Sequence, residues 1–402
     1  MAFIKKQQDL KPLDDTVFRN NTLAKTRKSE GIDVINATIG TLCDEDGNIV
    51  AYKSVYNDIK KMDDKIKASY PDSLKGNKKY LDAIYKFVIE DNCPSLYHRE
   101  IAAAGGSGCI SSSIQAMLDE GSSILIPSIA WGSYKLMAEQ NHLKPVTYNM
   151  FKNNKFDLSD VKQKMKEIVK NEGKVFFIIN DPLQNPTGYS LTQNEWKNLI
   201  DFVNTLDGEV IILNDIAYID YSFRKNPKEY MKLFNNINDN VAIIVAFSGS
   251  KTMTSYGLRY GASIVLTKKE EDAINIVNIL EKIGRATWSC VNNCGMNSFV
   301  NMYYNYKDKF LKEKKKYVNL LKKRANVILR SAKEVGIPLY PFKEGFFVTI
   351  KCEDNASRDK LYNKLLDRDI YLVKTNLGLR IAICSLPLKQ CEIIMQKIKE
   401  CM

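Results

Sequence analysis

Lys251 stands in "AFSGSKTMTSYGLRYGAS", residues 246–263, directly after an apolar run, among hydroxyl side chains and eight residues before Arg259. A lysine so placed suits either of two chemistries: binding a phosphate, or attacking a carbonyl once burial or a neighbouring cation lowers its pKa. The P-loop signature needs glycine directly before the lysine and another five residues earlier. Ser250 fills that preceding position, so this is not a P-loop. Three other stretches bring complementary groups. Asp215 follows the run "VIIL" closely, where it can cap a helix, pair with an arginine or hold a proton on a heteroaromatic nitrogen. Trp131 in "SIAWGSY" is core or a flat surface for stacking a ring. In "AAAGGSGCISSSI" glycines precede a helix-like segment, an arrangement that serves a plain turn or leaves free N–H groups to bind an anion.

The elements that must hold these groups can be read around them. "SSILIP", "KVFFIIND", "EVIILND" and "NVAIIVAF" are short runs rich in Ile, Val and Phe, as expected of strands buried on both faces. Between them lie longer segments with helical apolar spacing, such as "TQNEWKNLIDFVNTLDG". Alternation of this kind predicts an α/β fold with a mostly parallel central sheet flanked by helices. Ligands in open α/β sheets sit beyond the carboxyl ends of the strands. The four runs lead into "SIAWGSY", "PLQNPTG", "DIAYIDY" and "SGSKT", so four chemically rich loops are expected at one cleft. "GFFVTIKCED" and "LGLRIAICSLP", joined by the helical "SRDKLYNKLLDRD", have an α+β pattern. The expected division is therefore a large domain over 50–295 and a smaller α+β domain built from 1–49 and 296–402. A lysine-rich helix from about 300 to 335 is expected to connect them.

The totals narrow the class. A chain of 402 residues exceeds what one core usually fills, and 45% hydrophobic residues are enough for two. "MAFIKKQQDLKPL" offers no secretory apolar segment, and no run approaches a bilayer span. Nine cysteines without a framework spacing suggest reduced thiols and a cytoplasmic location. Only two histidines, His98 and His142, accompany them, so no metal site is expected. The net charge of +12 raises the question of nucleic acid, but the lysines are spread along the whole chain. They read as solvated faces.

Together the four strand ends describe an aromatic, phosphorylated aldehyde: lysine for the aldehyde, carboxylate for a ring nitrogen, indole for the ring, and Gly, Ser and Arg for phosphate. That cofactor is pyridoxal 5'-phosphate. At these same residues the sequence resembles the class I/II aminotransferases of PLP fold type I, and within them the aspartate and aromatic amino acid group. "QNPTG" is similar to the family's Asn-Pro-x-Gly loop, "NDIAY" to its Asp-x-x-Tyr strand end and "SGSKTMTSYGLR" to its Ser-x-x-Lys segment followed by Arg. The resemblance implies that Lys251 is the Schiff-base lysine, that Asp215 pairs with the pyridinium, and that Asn185 and Tyr218 hydrogen-bond the ring oxygen. It also implies phosphate binding by Gly106, Ser107, Ser248 and Arg259, stacking by Trp131, and a reach of Tyr70 to the phosphate of a neighbouring subunit. A homodimer with shared sites follows from that last role.

For substrate, "GLRIAIC" resembles the stretch whose arginine grips the α-carboxylate, which makes Arg380 the candidate. "IGRATWS" resembles the segment whose arginine, supplied by the other subunit, meets a side-chain carboxylate. Arg285 would take that role, or lie on the surface at a helix end. Gly40 lies in "NATIGTLCDEDG", similar to the segment that closes over substrate, and Trp288 is available for apolar contact. Two positions depart from the aspartate subgroup: Tyr134 stands where a histidine is common, and Gly105 where a serine is. The implied reaction is ping-pong transfer between aspartate, glutamate or an aromatic amino acid and a 2-oxo acid such as 2-oxoglutarate. A β-lyase or decarboxylase would use the same cofactor residues. A non-enzymatic PLP sensor would need an attached DNA-binding module, which is not expected because the fold-like region begins within the first few dozen residues.

Overall fold

In the computed structural model, which describes Phe3 and residues 11–402, the apolar runs become adjacent strands. Seven strands form the main sheet: β1 (Tyr97–Ala103), β2 (Ser123–Pro127), β3 (Lys144–Tyr148), β4 (Lys174–Asn180), β5 (Glu209–Asp215), β6 (Val241–Ser248) and β7 (Gly261–Thr267). Their order across the sheet is β1-β7-β6-β5-β4-β2-β3, and β7 alone runs against its neighbours. In β4, Val175, Phe177 and Ile179 enter one core while Phe176 and Ile178 enter another on the opposite face. Successive strand residues face opposite sides, so a strand covered on both must be apolar throughout. That is why β2, β4, β5 and β6 are visible as runs. The sequence did not single out β1, β3 or β7. The first two are edges, where β1 tolerates half-buried His98, Arg99 and Glu100 and β3 tolerates Pro145.

The second sheet contains β8 (Phe347–Lys351), β9 (Val373–Thr375) and β10 (Gly378–Ala382) in the antiparallel order β8-β10-β9. Ile35–Asn36 pair in parallel with Ile370–Tyr371, which ties the two ends of the chain together. Four helices position the groups that matter: α1 (Thr16–Ser29), α2 (Gly105–Met117), α3 (Glu270–Thr287) and α4 (Lys307–Glu334). The expected helix from 300 to 335 is corrected at its start. One helix ends at Asn305, Tyr306 leaves helical geometry at φ −148° and ψ 30°, and α4 begins at Lys307. Phe310 and Leu321 of α4 pack in the core beside the main sheet, while Ala325 and Ile328 pack in the core of the second. We propose the division into 50–295 and the two chain ends on that basis, with α4 passing from one core to the other.

Among the described residues no helix is long and apolar enough to cross a membrane, and the nine cysteines are free thiols. The stretch read for a secretory signal lies largely outside the described residues.

Candidate active site

The register of the main sheet gathers the chemistry. Asp215 pairs with Asn180 on one side and Ala246 on the other, while Ser248 lies opposite Gly261, which lies opposite Ala103. The carboxyl ends of β4, β5 and β6 and the entry to α2 therefore border one chamber of about 520 Å3. Of the candidates, Lys251, Asp215, Tyr218, Asn185, Trp131 and Arg380 line it, as do Gly40, Gly106, Ser107, Ser248 and Arg259.

Lys251 lies on a one-turn helix immediately after β6. Its Nζ donates to the Gly40 carbonyl at 2.7 Å and sits 4.7 Å from the centre of the Tyr256 ring. Burial pushes the amine down to about 8; Arg380 and Arg259 add to that push, and Cys384 and Asp215 oppose it. Gly40 is required here because a Cβ would meet Phe347 Cζ at 2.8 Å. An amine with this pKa is half neutral at about pH 8 rather than near 10.5, which is where nucleophilic capture of an aldehyde gains its reactive form. The rate at which apoprotein captures added pyridoxal 5'-phosphate is thus expected to rise about ten-fold per pH unit below 8 and to level off above it. Stopped-flow absorbance across that range checks this; a rate still climbing towards pH 10 would contradict the depressed amine.

Asp215 is buried at the end of β5. Its Oδ1 accepts from the Ala217 N–H at 3.0 Å and its Oδ2 from the Tyr134 hydroxyl at 2.6 Å. Burial pushes the carboxyl above its usual range despite these hydrogen bonds and the charge of Lys251, so a cationic ring nitrogen there would stabilise its ionised form. Tyr134 therefore fills the place of the absent histidine with a neutral donor. Trp131 meets Tyr134 edge-on, with ring centres 5.5 Å apart.

The phosphate candidates form a cradle. Ala104, the N-cap of α2, provides no side-chain acceptor, so the first N–H groups of this 13-residue helix keep their hydrogen-bonding capacity. Beside them Arg259, held at φ 49° in the left-handed region, donates to Ser250 Oγ at 2.8 Å and to the Tyr256 carbonyl at 3.1 Å. Gly105 has φ +72°, and a Cβ there would lie 2.7 Å from Arg259 Nη2. A serine there would be strained by the positive φ and would have to shift the guanidinium. Helix N–H groups, two serine hydroxyls and a guanidinium converge as a dianion requires.

Arg380, on the central strand β10, is 6% exposed and lies over the Phe347 ring at 4.4 Å. Nη2 donates to the Thr38 carbonyl at 2.6 Å and Nη1 to Asn185 Oδ1 at 3.1 Å, while Nε has no partner. Among the described residues no carboxylate pairs with it, and burial lowers its pKa. A buried guanidinium left with an orphan donor is a strong site for a carboxylate.

A sequence model for aminotransferase class I and II matches residues 32–398. The chain belongs to that family. As a class I/II aminotransferase it uses pyridoxal 5'-phosphate, and the amine, carboxylate, indole and anion cradle above fit that group. The aminotransferase is 28% identical to an aminotransferase from Anaerococcus prevotii whose solved structure superposes with a TM-score of 0.94 over 100% of this chain and 99% of that one. It is 26% identical to a histidinol-phosphate aminotransferase of Pelagibacter ubique over 83% of this chain and 90% of the relative. It is 23% identical to the mitochondrial aspartate aminotransferase of Saccharomyces cerevisiae over 60% of this chain and 58% of that relative.

Two candidates are not brought to the chamber of their own chain. Tyr70 follows the helix Asp64–Ala68 and is 83% exposed. Arg285, in the last turn of α3, is exposed and donates to Ser289 Oγ at 2.7 Å. Trp288 also stays outside, with its ring packed on Gly284. Conversely, Asp15, Val17 and Phe18 from the start of α1 line the mouth, with Tyr256, Ser250 and Phe347 deeper in. Sequence reasoning passed over them. Tyr256 and Ser250 lie within the lysine segment and were open to discovery; the α1 residues gave no local signal.

Proposed function

We propose that this aminotransferase moves an amino group between an aromatic or dicarboxylic amino acid and a 2-oxo acid, with 2-oxoglutarate as acceptor. When bound, pyridoxal 5'-phosphate supplies a carbonyl that exchanges amines and a ring that accepts the electrons released at Cα. Gly106, Ser107, Ser248 and Arg259 would hold its phosphate, Trp131 would cover the ring, and Asn185 with Tyr218 would hold the ring oxygen. Asp215, fixed by Tyr134, would keep the ring nitrogen protonated. Lys251 would hold the aldehyde carbon, and its amine would take the substrate Cα proton as base and return it as acid. Arg380 takes the substrate α-carboxylate.

The observation that carries the substrate reading is the assignment of cations inside the chamber. Among the described residues Lys251, Arg259 and Arg380 are the three that line it, and each already has a proposed role, while Val17 and Phe18 offer apolar surface. Aromatic side chains suit that mouth within a single chain. A second carboxylate needs a cation from elsewhere, which is the role we propose for Arg285 of a second copy, with Tyr70 meeting the other copy's phosphate. A histidinol-phosphate donor is the rival reading, motivated by the relative of that name.

A screen of donors against 2-oxoglutarate tests the proposal, with phenylalanine, tyrosine, aspartate and histidinol phosphate as arms. Turnover confined to histidinol phosphate would refute it. Arg285→Gln is expected to raise KM for aspartate and 2-oxoglutarate by about ten-fold or more while leaving aromatic donors nearly unchanged. An equal loss for all substrates would remove Arg285 from the site.

A further inference from the structure

A second cavity, of about 740 Å3, shares no lining residue with the Lys251 chamber. Its walls are the segment after β5 around residues 219–232, the neighbourhood of Phe87 and Glu90, and the first half of α4. Among the described residues, seven lysine and arginine side chains line it against three carboxylates. Three of these cations already have partners: Arg224 pairs with Glu344 at 3.0 Å, Lys228 with Glu90 at 3.0 Å and Lys314 with Asp220 at 2.6 Å. The other four, Lys225, Lys232, Lys307 and Lys315, form no ion pair among the described residues; Lys307 lies 4.8 Å over the Tyr303 ring. Only Glu229 opposes them without a cation of its own.

The floor is built rather than incidental. The side chains of Lys314 and Asp220 are 11% and 4% exposed, and Asp220 also accepts from Thr252 Oγ1 at 2.6 Å. Burial would raise the Asp220 carboxyl, but Lys314 and Lys228 hold it below the usual range, so Asp220 stays ionised at neutral pH. The wall lysines are thus not neutralised from beneath. Lysines lining a concave surface focus a positive potential that draws in anions.

We propose that this cavity binds a small polyanion of the condensed-phosphate class, bearing three or more negative charges. Its volume suits a compact ligand rather than a duplex or a membrane surface. Compact ammonium groups on flexible stems fit the point charges of a phosphate chain. The chain can be free or form the tail of a nucleoside triphosphate, since both present the same groups. Because Thr252 adjoins Lys251, the site touches the catalytic segment through Asp220.

Calorimetric titration of the holoenzyme, whose Arg259 cradle is filled by cofactor, with inorganic tripolyphosphate tests this. Saturable binding is expected, weakened about ten-fold from low to physiological ionic strength. Lys225 and Lys315 are exposed, so Lys225→Glu with Lys315→Glu leaves the fold intact. The double variant is expected to raise Kd by at least about ten-fold while aminotransfer without polyanion stays unchanged. An ATP arm separates the sources: equal affinity identifies the phosphate chain alone, and tighter binding adds a nucleoside contact. No binding at millimolar tripolyphosphate, equal binding of orthophosphate, or an unchanged Kd in the double variant overturns the proposal.

Discussion

Lys251→Ala is expected to abolish covalent attachment of the cofactor and to reduce kcat by at least about 10^4-fold, because in the function we propose one side chain supplies both the anchor and the proton carrier. The fold should survive. The amine's pKa in the folded chain, about 8, lies below its ordinary value of 10.5, so the folded state holds this proton less tightly than the unfolded one. The resulting penalty is fully present below pH 8 and fades as pH rises towards 10.5. Removing the lysine relieves it, at some loss of packing. Apo Lys251→Ala should therefore unfold at a temperature no lower than the apo wild type at pH 7, with any advantage shrinking at alkaline pH. Absorbance of the bound cofactor, single-turnover rates and thermal melts at two pH values check both parts. A variant with normal turnover would refute the assignment of Lys251.

Arg380→Ala is expected to lower kcat/KM by roughly 10^2 to 10^4-fold for every carboxylate-bearing substrate, the range for removing one partner of a buried charged hydrogen-bonded pair. Cofactor binding should persist, since the hydrogen bonds of Arg380 go to Thr38 and Asn185 and not to the phosphate candidates. Arg380→Lys keeps the charge but not the parallel donors, so it should recover only part of the loss. Steady-state kinetics alongside a cofactor titration separate the effects. Weakened cofactor binding with an unchanged kcat/KM in the loaded enzyme would mean that Arg380 supports the ring through Asn185 and does not hold the substrate.

The candidate groups were legible because an α/β sheet writes the chemistry at its strand ends into local sequence. Each of β2, β4, β5 and β6 is an apolar run that stops at a polar loop, and residues of each loop line the chamber. β7 was equally apolar but followed the lysine segment without a loop to announce it, and its reversed direction is set by pairing with β1 and β6. Tyr134 was visible only as a departure from a pattern. Its hydrogen bond to Asp215 joins residues 81 apart, which no spacing rule reports.

By itself the sequence determined the class of fold and the cofactor and named candidate groups that the structure gathers at one chamber, because burial periodicity and strand-end chemistry are both short-range properties. Tertiary structure alone decided what surrounds Arg380 and the mouth of that chamber. Thr38 and Arg380 are 342 residues apart, and α1 brings Val17 and Phe18 to the mouth from the far end of the chain. Such contacts exist only after two cores have formed and closed on each other, so their energy is carried by packing across the chain and leaves no periodic trace along it.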